Sequence, residues 1–122
     1  METKRTYSIR EAADSLNSTV ATIRHFCNQG LIPHVYRDQH HRRILEAHQV
    51  ELARILLGMK QAGFRPKEIR QYSRLYRHGA STEAERLAML TTRKRQLWHE
   101  IEARQKAIDF IERQEEIIHD AK

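Results

Sequence analysis

Apolar residues recur at helical spacing in five stretches of this chain, and the spacing fails in one. Ile9, Ala12, Ala13 and Leu16 stand at i, i+3, i+4 and i+7, one face of a two-turn helix. Ser8-Ile9-Arg10-Glu11 precedes them in capping-box order: the Ser8 oxygen can accept from the third backbone N–H, and Glu11 can reach back to the N–H of Ser8. Asn17, which tolerates a left-handed turn, follows. Thr19 is an N-cap for a second helix whose inward positions are Val20, Ile23, Phe26 and Cys27, and Gly30 stops it. Two short helices joined by so tight a turn make a helix-turn-helix. Leu31 to Leu45 has no helical period and fits two short strands around a basic tip, Asp38-Gln39-His40-His41-Arg42-Arg43. A third helix is predicted from Ala47 to Gln61 with Val50, Ala53, Leu56 and Leu57 inward, ended by Gly63. Pro66 opens a fourth, with Ile69, Tyr72 and Leu75 or Tyr76 buried, and His78-Gly79-Ala80-Ser81 breaks it.

The last stretch is the longest. Thr82-Glu83-Ala84-Glu85 reads as a second capping box. Leu87, Leu90, Lys94, Leu97, Ile101, Arg104, Ile108, Ile111, Glu115 and Ile118 then follow alternating steps of three and four, and seven of these ten are apolar. That is the 3.5-residue period of a coiled coil. A helix over 83–119 is roughly 55 Å long, too long to bury its stripe on an 80-residue domain, so a second copy is the economical partner. Leu87, Leu90, Leu97, Ile101, Ile108, Ile111 and Ile118 are the expected dimerisation residues. Trp98 and Phe110 lie off that seam and are candidates to pack on the partner's N-terminal domain.

Charge sharpens the division into residues 1–80 and 81–122. The net charge is +6, and it is uneven: 14 Lys and Arg against 7 Asp and Glu in residues 1–80, but 8 against 9 in the remainder. A basic first half suits a polyanion, since cations that neutralise phosphates release condensed counterions; a solubilising surface is the plainer alternative. The single Cys27 excludes an intramolecular disulfide framework. No apolar run approaches the length that spans a bilayer, and METKRTYSIREAA has no apolar core of a secretory signal, so a cytoplasmic protein is expected. No phosphate loop, nucleophile motif or acid–base pair suggests an enzyme, and no cofactor is expected.

Several anchored motifs carry a resemblance. Thr22-Ile23-Arg24-His25-Phe26-Cys27-Asn28-Gln29-Gly30-Leu31-Ile32-Pro33 resembles the recognition-helix end of the MerR family of bacterial regulators, which typically shows Thr-Ile-Arg, two aromatics, an acidic residue and Gly-Leu. Tyr7-Ser8-Ile9, Glu11 and Ala13 resemble its first helix. Arg37 and Arg43 match its wing arginines, and Gly63-Phe64 with Glu68-Ile69 resembles its junction between third and fourth helices. The likeness covers about residues 6–76; the terminal helix matches by position and periodicity. Departures are plain: His41-Arg42-Arg43 stands where the family wing reads Gly-Tyr-Arg, His25 removes a phenolic hydroxyl, and Asn17 replaces a turn glycine. They bear on the DNA sequence read, not on the binding mode.

The resemblance implies a mainly α fold, a winged helix-turn-helix followed by a long dimerisation helix paired as an antiparallel coiled coil. It implies a homodimeric, sequence-specific regulator on the nucleoid that binds double-stranded DNA. Its site would be a pseudo-palindromic promoter operator with an overlong spacer, bent and untwisted so that RNA polymerase can use it. The second helix would enter the major groove. Ser18, Thr19, Ala21 and Thr22 are small enough for close approach; Ser8, Arg24, His25, Arg37, Arg42 and Arg43 complete the expected DNA contacts. The alternative is a coiled-coil adaptor with a degenerate DNA-binding domain, against which the basic first half speaks. His34, His40, His41 and His48 cluster in sequence, but no Cys or carboxylate set completes a metal site. Metal sensors of the family use cysteines at the dimerisation helix, and its thiol sensors a cysteine on the third helix, where this chain has Gly58. Cys27 reads as a small core filler. With no separate ligand domain after the long helix, an unnamed inducer would act at the dimer seam near Trp98 or at the junction from Gly63 to Tyr76.

Overall fold

The computed structural model describes residues 5–121; residues 1–4 and 122, at the outer ends of the two predicted domains, lie outside the described residues. The chain is mainly helical and divides into two compact units, with the boundary between Thr82 and Glu83.

The first unit runs β1 (Thr6–Ser8), α1 (Ile9–Ser15), α2 (Val20–Asn28), β2 (Tyr36–Arg37), β3 (Arg43–Glu46), α3 (Ala47–Gln61) and α4 (Pro66–Arg77), closed by a 3₁₀ turn at Gly79–Thr82. The strands form an antiparallel sheet in the order β1-β3-β2, with Tyr7 opposite Leu45, and Tyr36 and Ser8 both opposite Ile44. Ala12, Ala13, Ile23, Phe26, Leu45, Val50, Ala53, Leu56, Ile69 and Tyr72 form the core. Leu57, expected inward, is only half-buried, and Leu52 and Met59 are buried instead. The cause is that α3 touches both α4 and the sheet, so its buried face is wider than one stripe.

The helix ends follow from local chemistry. Ser8 Oγ accepts from the Glu11 N–H at 3.0 Å and Glu11 Oε1 accepts from the Ser8 N–H at 2.9 Å, the expected capping box. These bonds hold the Glu11 carboxyl below its ordinary range. Three helices end in the same closure, in which the N–H two residues past the cap reaches back five residues. Ser18 donates to the Ala13 carbonyl, Leu31 to Phe26 and Phe64 to Met59. The residue at each bend is left-handed: Asn17 at φ 54°, Gly30 at 70° and Gly63 at 84°. Thr82, just before the last helix, is buried, and its hydroxyl lies 2.6 Å from the Leu75 carbonyl and 2.9 Å from that of Gly79.

The second unit is α5 (Glu83–Asp120), a helix of 38 residues with no buried residue. Arg93 pairs with Glu100 at 3.2 Å, and the Gln105 amide donates to Asp109 at 3.0 Å. Leu87, Leu90, Ile101, Ile108, Ile111 and Ile118 are exposed, and Leu97 is half-buried; Trp98, Phe110 and Ile117 are exposed beside them. No helix among the described residues is long and apolar enough to cross a membrane.

Candidate nucleic-acid interface

The wing between β2 and β3 is built on one carboxylate. Asp38 Oδ1 accepts from the His40 N–H at 2.8 Å and the Arg42 N–H at 2.9 Å. The Asp38 N–H donates to the Arg42 carbonyl at 2.8 Å, and the His41 N–H donates to the Asp38 carbonyl at 2.9 Å. This is a three-residue hairpin loop whose last residue must be left-handed, a position that suits glycine. Here it is His41, at φ 61°, so the missing wing glycine leaves the turn in place and puts a side chain in a strained backbone. The N–H bond from Arg42 holds the Asp38 carboxyl below its usual range, helped by the bond from His40 and the nearby Arg42 charge, and opposed by desolvation.

Helix α2 is fixed at both ends. Thr19 Oγ1 accepts from the Thr22 N–H at 3.1 Å, and the two threonine hydroxyls lie 2.9 Å apart. At the other end, Arg43 donates to Asn28 Oδ1 at 2.6 Å and ties the wing to the helix. From α4, the buried Ser73 hydroxyl donates to the Leu31 carbonyl and Arg77 to the Gly30 carbonyl, both at 2.6 Å. The connection from α2 to the wing is clamped by buried Gln49, whose amide donates to the carbonyls of Pro33 and His34 at 2.9 Å.

Between α1, α2 and the wing lies a groove of about 480 Å³ lined by Ser8, Ile9, Arg10, Val20, Arg24, Arg37, His41, Arg42 and Arg43. Five arginines from α1, α2 and the wing line it, and no carboxylate of the described residues does. Arg37 uses one donor on the His41 carbonyl at 2.8 Å, so it braces the wing as well as charging it. Arg42 makes only a loose 3.8 Å pair with Asp38, and its side chain is 75% exposed. Arg10 and Arg24 have no ion pair or side-chain hydrogen bond among the described residues.

Of the ten expected contact residues, Ser8, Arg24, Arg37, Arg42 and Arg43 line this groove. Ser18, Thr19, Ala21, Thr22 and His25 lie outside its lining, Ser18 and Thr22 half-buried and the others exposed. Sequence reasoning missed Arg10, Asp38 and His41. Arg10 sits inside the expected capping box, so its outward direction was legible; Asp38 opens a turn-forming run, a position where Asp side chains bond backbone two residues on. The four histidines near the wing bring no third ligand together: among the described residues no group of three or more His, Cys, Asp or Glu is placed to hold a metal. Cys27 is half-buried, and burial pushes its thiol up, with the Arg43 charge opposing, so it stays protonated at neutral pH.

Comparison with known proteins places the chain. Residues 7–75 match the MerR HTH family regulatory protein profile. A curated HTH-type transcriptional regulator of Haemophilus influenzae is 24% identical over 107 residues, 88% of this chain and 79% of the relative. Among solved structures, a MerR family regulator lacking the sensor domain, HiNmlR bound to promoter DNA, aligns with a TM-score of 0.74 at 24% identity, over 86% of this chain and 80% of that one. A MerR family regulator from Bacillus thuringiensis gives 0.73 at 24%, over 90% and 96%. A MerR family regulator from Listeria monocytogenes gives 0.73 at 26%, over 87% and 80%. These relatives are transcription regulators, and the family match favours the DNA-binding reading over the adaptor. With the matched profile spanning more than half of its length, this chain belongs to the MerR HTH family and is a DNA-binding transcriptional regulator.

Proposed function

We propose that the protein works as a homodimer on a pseudo-palindromic promoter operator, which it distorts so that RNA polymerase can use it. Residues 1–80 are the DNA-binding domain in this reading and residues 81–122 the dimerisation helix. The observation that carries it is the groove: arginines from α1, α2 and the wing line it with no carboxylate of the described residues among them. Phosphates are the partner such a surface suits, since Arg presents a fork of donors that matches phosphate oxygens. Arg24, Arg37, Arg42 and Arg43 hold the backbone from this groove, joined by Arg10, and Ser8 adds a hydroxyl. Ser18, Thr19, Ala21, Thr22 and His25 meet the major groove along α2. HiNmlR, similar in fold, is bound to promoter DNA, which supports duplex DNA as the ligand.

Dimerisation is supported by α5 itself. A 38-residue helix that buries none of its residues yet exposes an apolar seam has an unmet partner. The seam of Leu87, Leu90, Leu97, Ile101, Ile108, Ile111 and Ile118 closes against a second copy, antiparallel, and holds two recognition helices a fixed distance apart. Bending and untwisting the operator costs on the order of several kcal/mol, offset by wing and helix contacts. The test is a footprint on the promoter of the protein's own operon. Two protected half-sites flanking a hypersensitive centre are expected; protection with an undistorted centre refutes the untwisting step, and a monomer at micromolar concentration refutes the dimer.

A further inference from the structure

A second cavity lies beside α2, on a different stripe of it. The arginine groove takes Val20 and Arg24; this one takes His25, Phe26 and Gln29, centred roughly 165° round the helix from them. It encloses about 280 Å³ between α2, the end of α3 and the start of α4. Phe26, Leu31, Phe64 and Ile69, all buried, make an apolar lining, with Pro66 beside them. His25, Gln29, Lys60 and Arg70 are exposed around it. No carboxylate lines the cavity, and His25, Lys60 and Arg70 have no acidic partner among the described residues.

Either feature alone is ordinary. Single apolar residues at a surface need no ligand, and isolated cations are solvated. Their coincidence is selective. An apolar pocket of one- or two-ring size with unpaired cations at its mouth favours a molecule with a hydrocarbon body and one negative end. We propose that this cleft binds a small amphipathic anion, an aromatic or acyl carboxylate, with its body on Phe26, Leu31, Phe64 and Ile69 and its charge toward Lys60 and Arg70. Because α2 supplies both this cleft and Arg24, the anion and the duplex are coupled through one helix. Each then changes the other's affinity by the same factor. Binding of the anion is measured without DNA, so it stands or falls apart from the operator reading.

The experiment titrates 2-naphthoate, and its neutral isostere 2-naphthamide, into the full-length protein and follows backbone and methyl resonances. Shifts concentrated at Phe26, Leu31, Phe64 and Ile69 are expected. The K60Q/R70Q variant changes only exposed side chains; it weakens naphthoate roughly fivefold and leaves naphthamide unchanged, the size expected of two exposed charge contacts. Saturating naphthoate changes duplex affinity by about fivefold or more. The site is overturned by shifts confined to α5, by equal affinity for acid and amide, by no saturation at millimolar concentration, or by intermolecular contacts showing a second copy's α5 seated in the cleft. Unchanged duplex affinity overturns the coupling.

Discussion

Arg24 and Arg42 are the cleanest probes of the groove, because the fold asks little of them. Arg37 braces the wing through the His41 carbonyl and Arg43 ties the wing to Asn28, so changing either disturbs geometry as well as charge. Arg24 has no partner among the described residues, and Arg42 has only a loose, exposed pair. In the proposed dimer on DNA, five groove arginines in each of two copies would make as many as ten phosphate contacts, each contributing about −0.9 to the slope of log affinity against log salt. The full set therefore sets a limit near −9. R24Q/R42Q removes four contacts per dimer and makes the slope shallower by about 3.6. Between about 50 and 200 mM salt, a fourfold change, the wild type then loses roughly 150-fold more affinity than the variant does. Fluorescence anisotropy on an operator duplex and on a scrambled duplex of equal length measures both slopes. Circular dichroism checks that the variant is folded. A folded double variant with the wild-type slope refutes the claim that these side chains meet phosphate.

Three further outcomes follow from named contacts. The Asp38 carboxylate accepts from two wing N–H groups and its pKa is lowered, so its contribution to wing order is complete above the ordinary aspartate value of 3.8 and is lost as pH falls through the lower folded value. Amide exchange at His40 and Arg42 should therefore stay protected through mildly acidic pH and rise only below it, whereas D38A exchanges fast throughout; protection in D38A equal to wild type refutes the role. H41G relieves a left-handed residue that costs roughly 1–2 kcal/mol, less roughly 0.5–1 kcal/mol for the entropy of glycine, so urea denaturation should show a gain near 0.5 kcal/mol, and a loss would refute the strain. I108E puts a carboxylate into the apolar seam from each copy; sedimentation should show the dimer weakened by roughly a hundredfold or more, with the first unit still folded, and an unchanged dimer would refute the seam.

What the sequence disclosed was what local chemistry decides. Capping at Ser8 and Thr19, left-handed exits at Asn17 and Gly63, and Pro66 at a helix start depend on residues within a few positions, and each is where its pattern put it. What it concealed was set at long range. β1 is three residues, too short to show alternation, and exists because β3 offers Thr6 to Ser8 an edge. Gln49 reads as a helix-surface residue, yet it is buried because the loop at Pro33 and His34 has two carbonyls to satisfy. Ser73 is buried for a carbonyl 42 residues away. Groove membership was half legible for the same reason: a basic residue in the right motif announces charge, but only the packing of α1 against α2 and the wing shows that Arg10 lines the groove and that His25 does not.

The use of the hydroxyls bears on how such a regulator would choose its site. Ser8 and Thr19 accept at helix caps, and the Thr22 hydroxyl lies against that of Thr19. A hydroxyl so engaged keeps at most a weak, reorientable contact for a base edge, and Ala21 offers only a methyl group. Ser18 and His25 are the remaining polar side chains on the expected reading face, while the strong donors are arginines in a groove suited to phosphates. In the proposed complex, direct readout would then be thin and backbone grip strong. A dimer of that kind discriminates chiefly by what its grip forces on the duplex, since deformation energy depends on the sequence being deformed. The same features that favour affinity without base contacts thus assign specificity to operator spacing and bendability. Altering the central, uncontacted base pairs should therefore change affinity more than exchanging any one pair under α2.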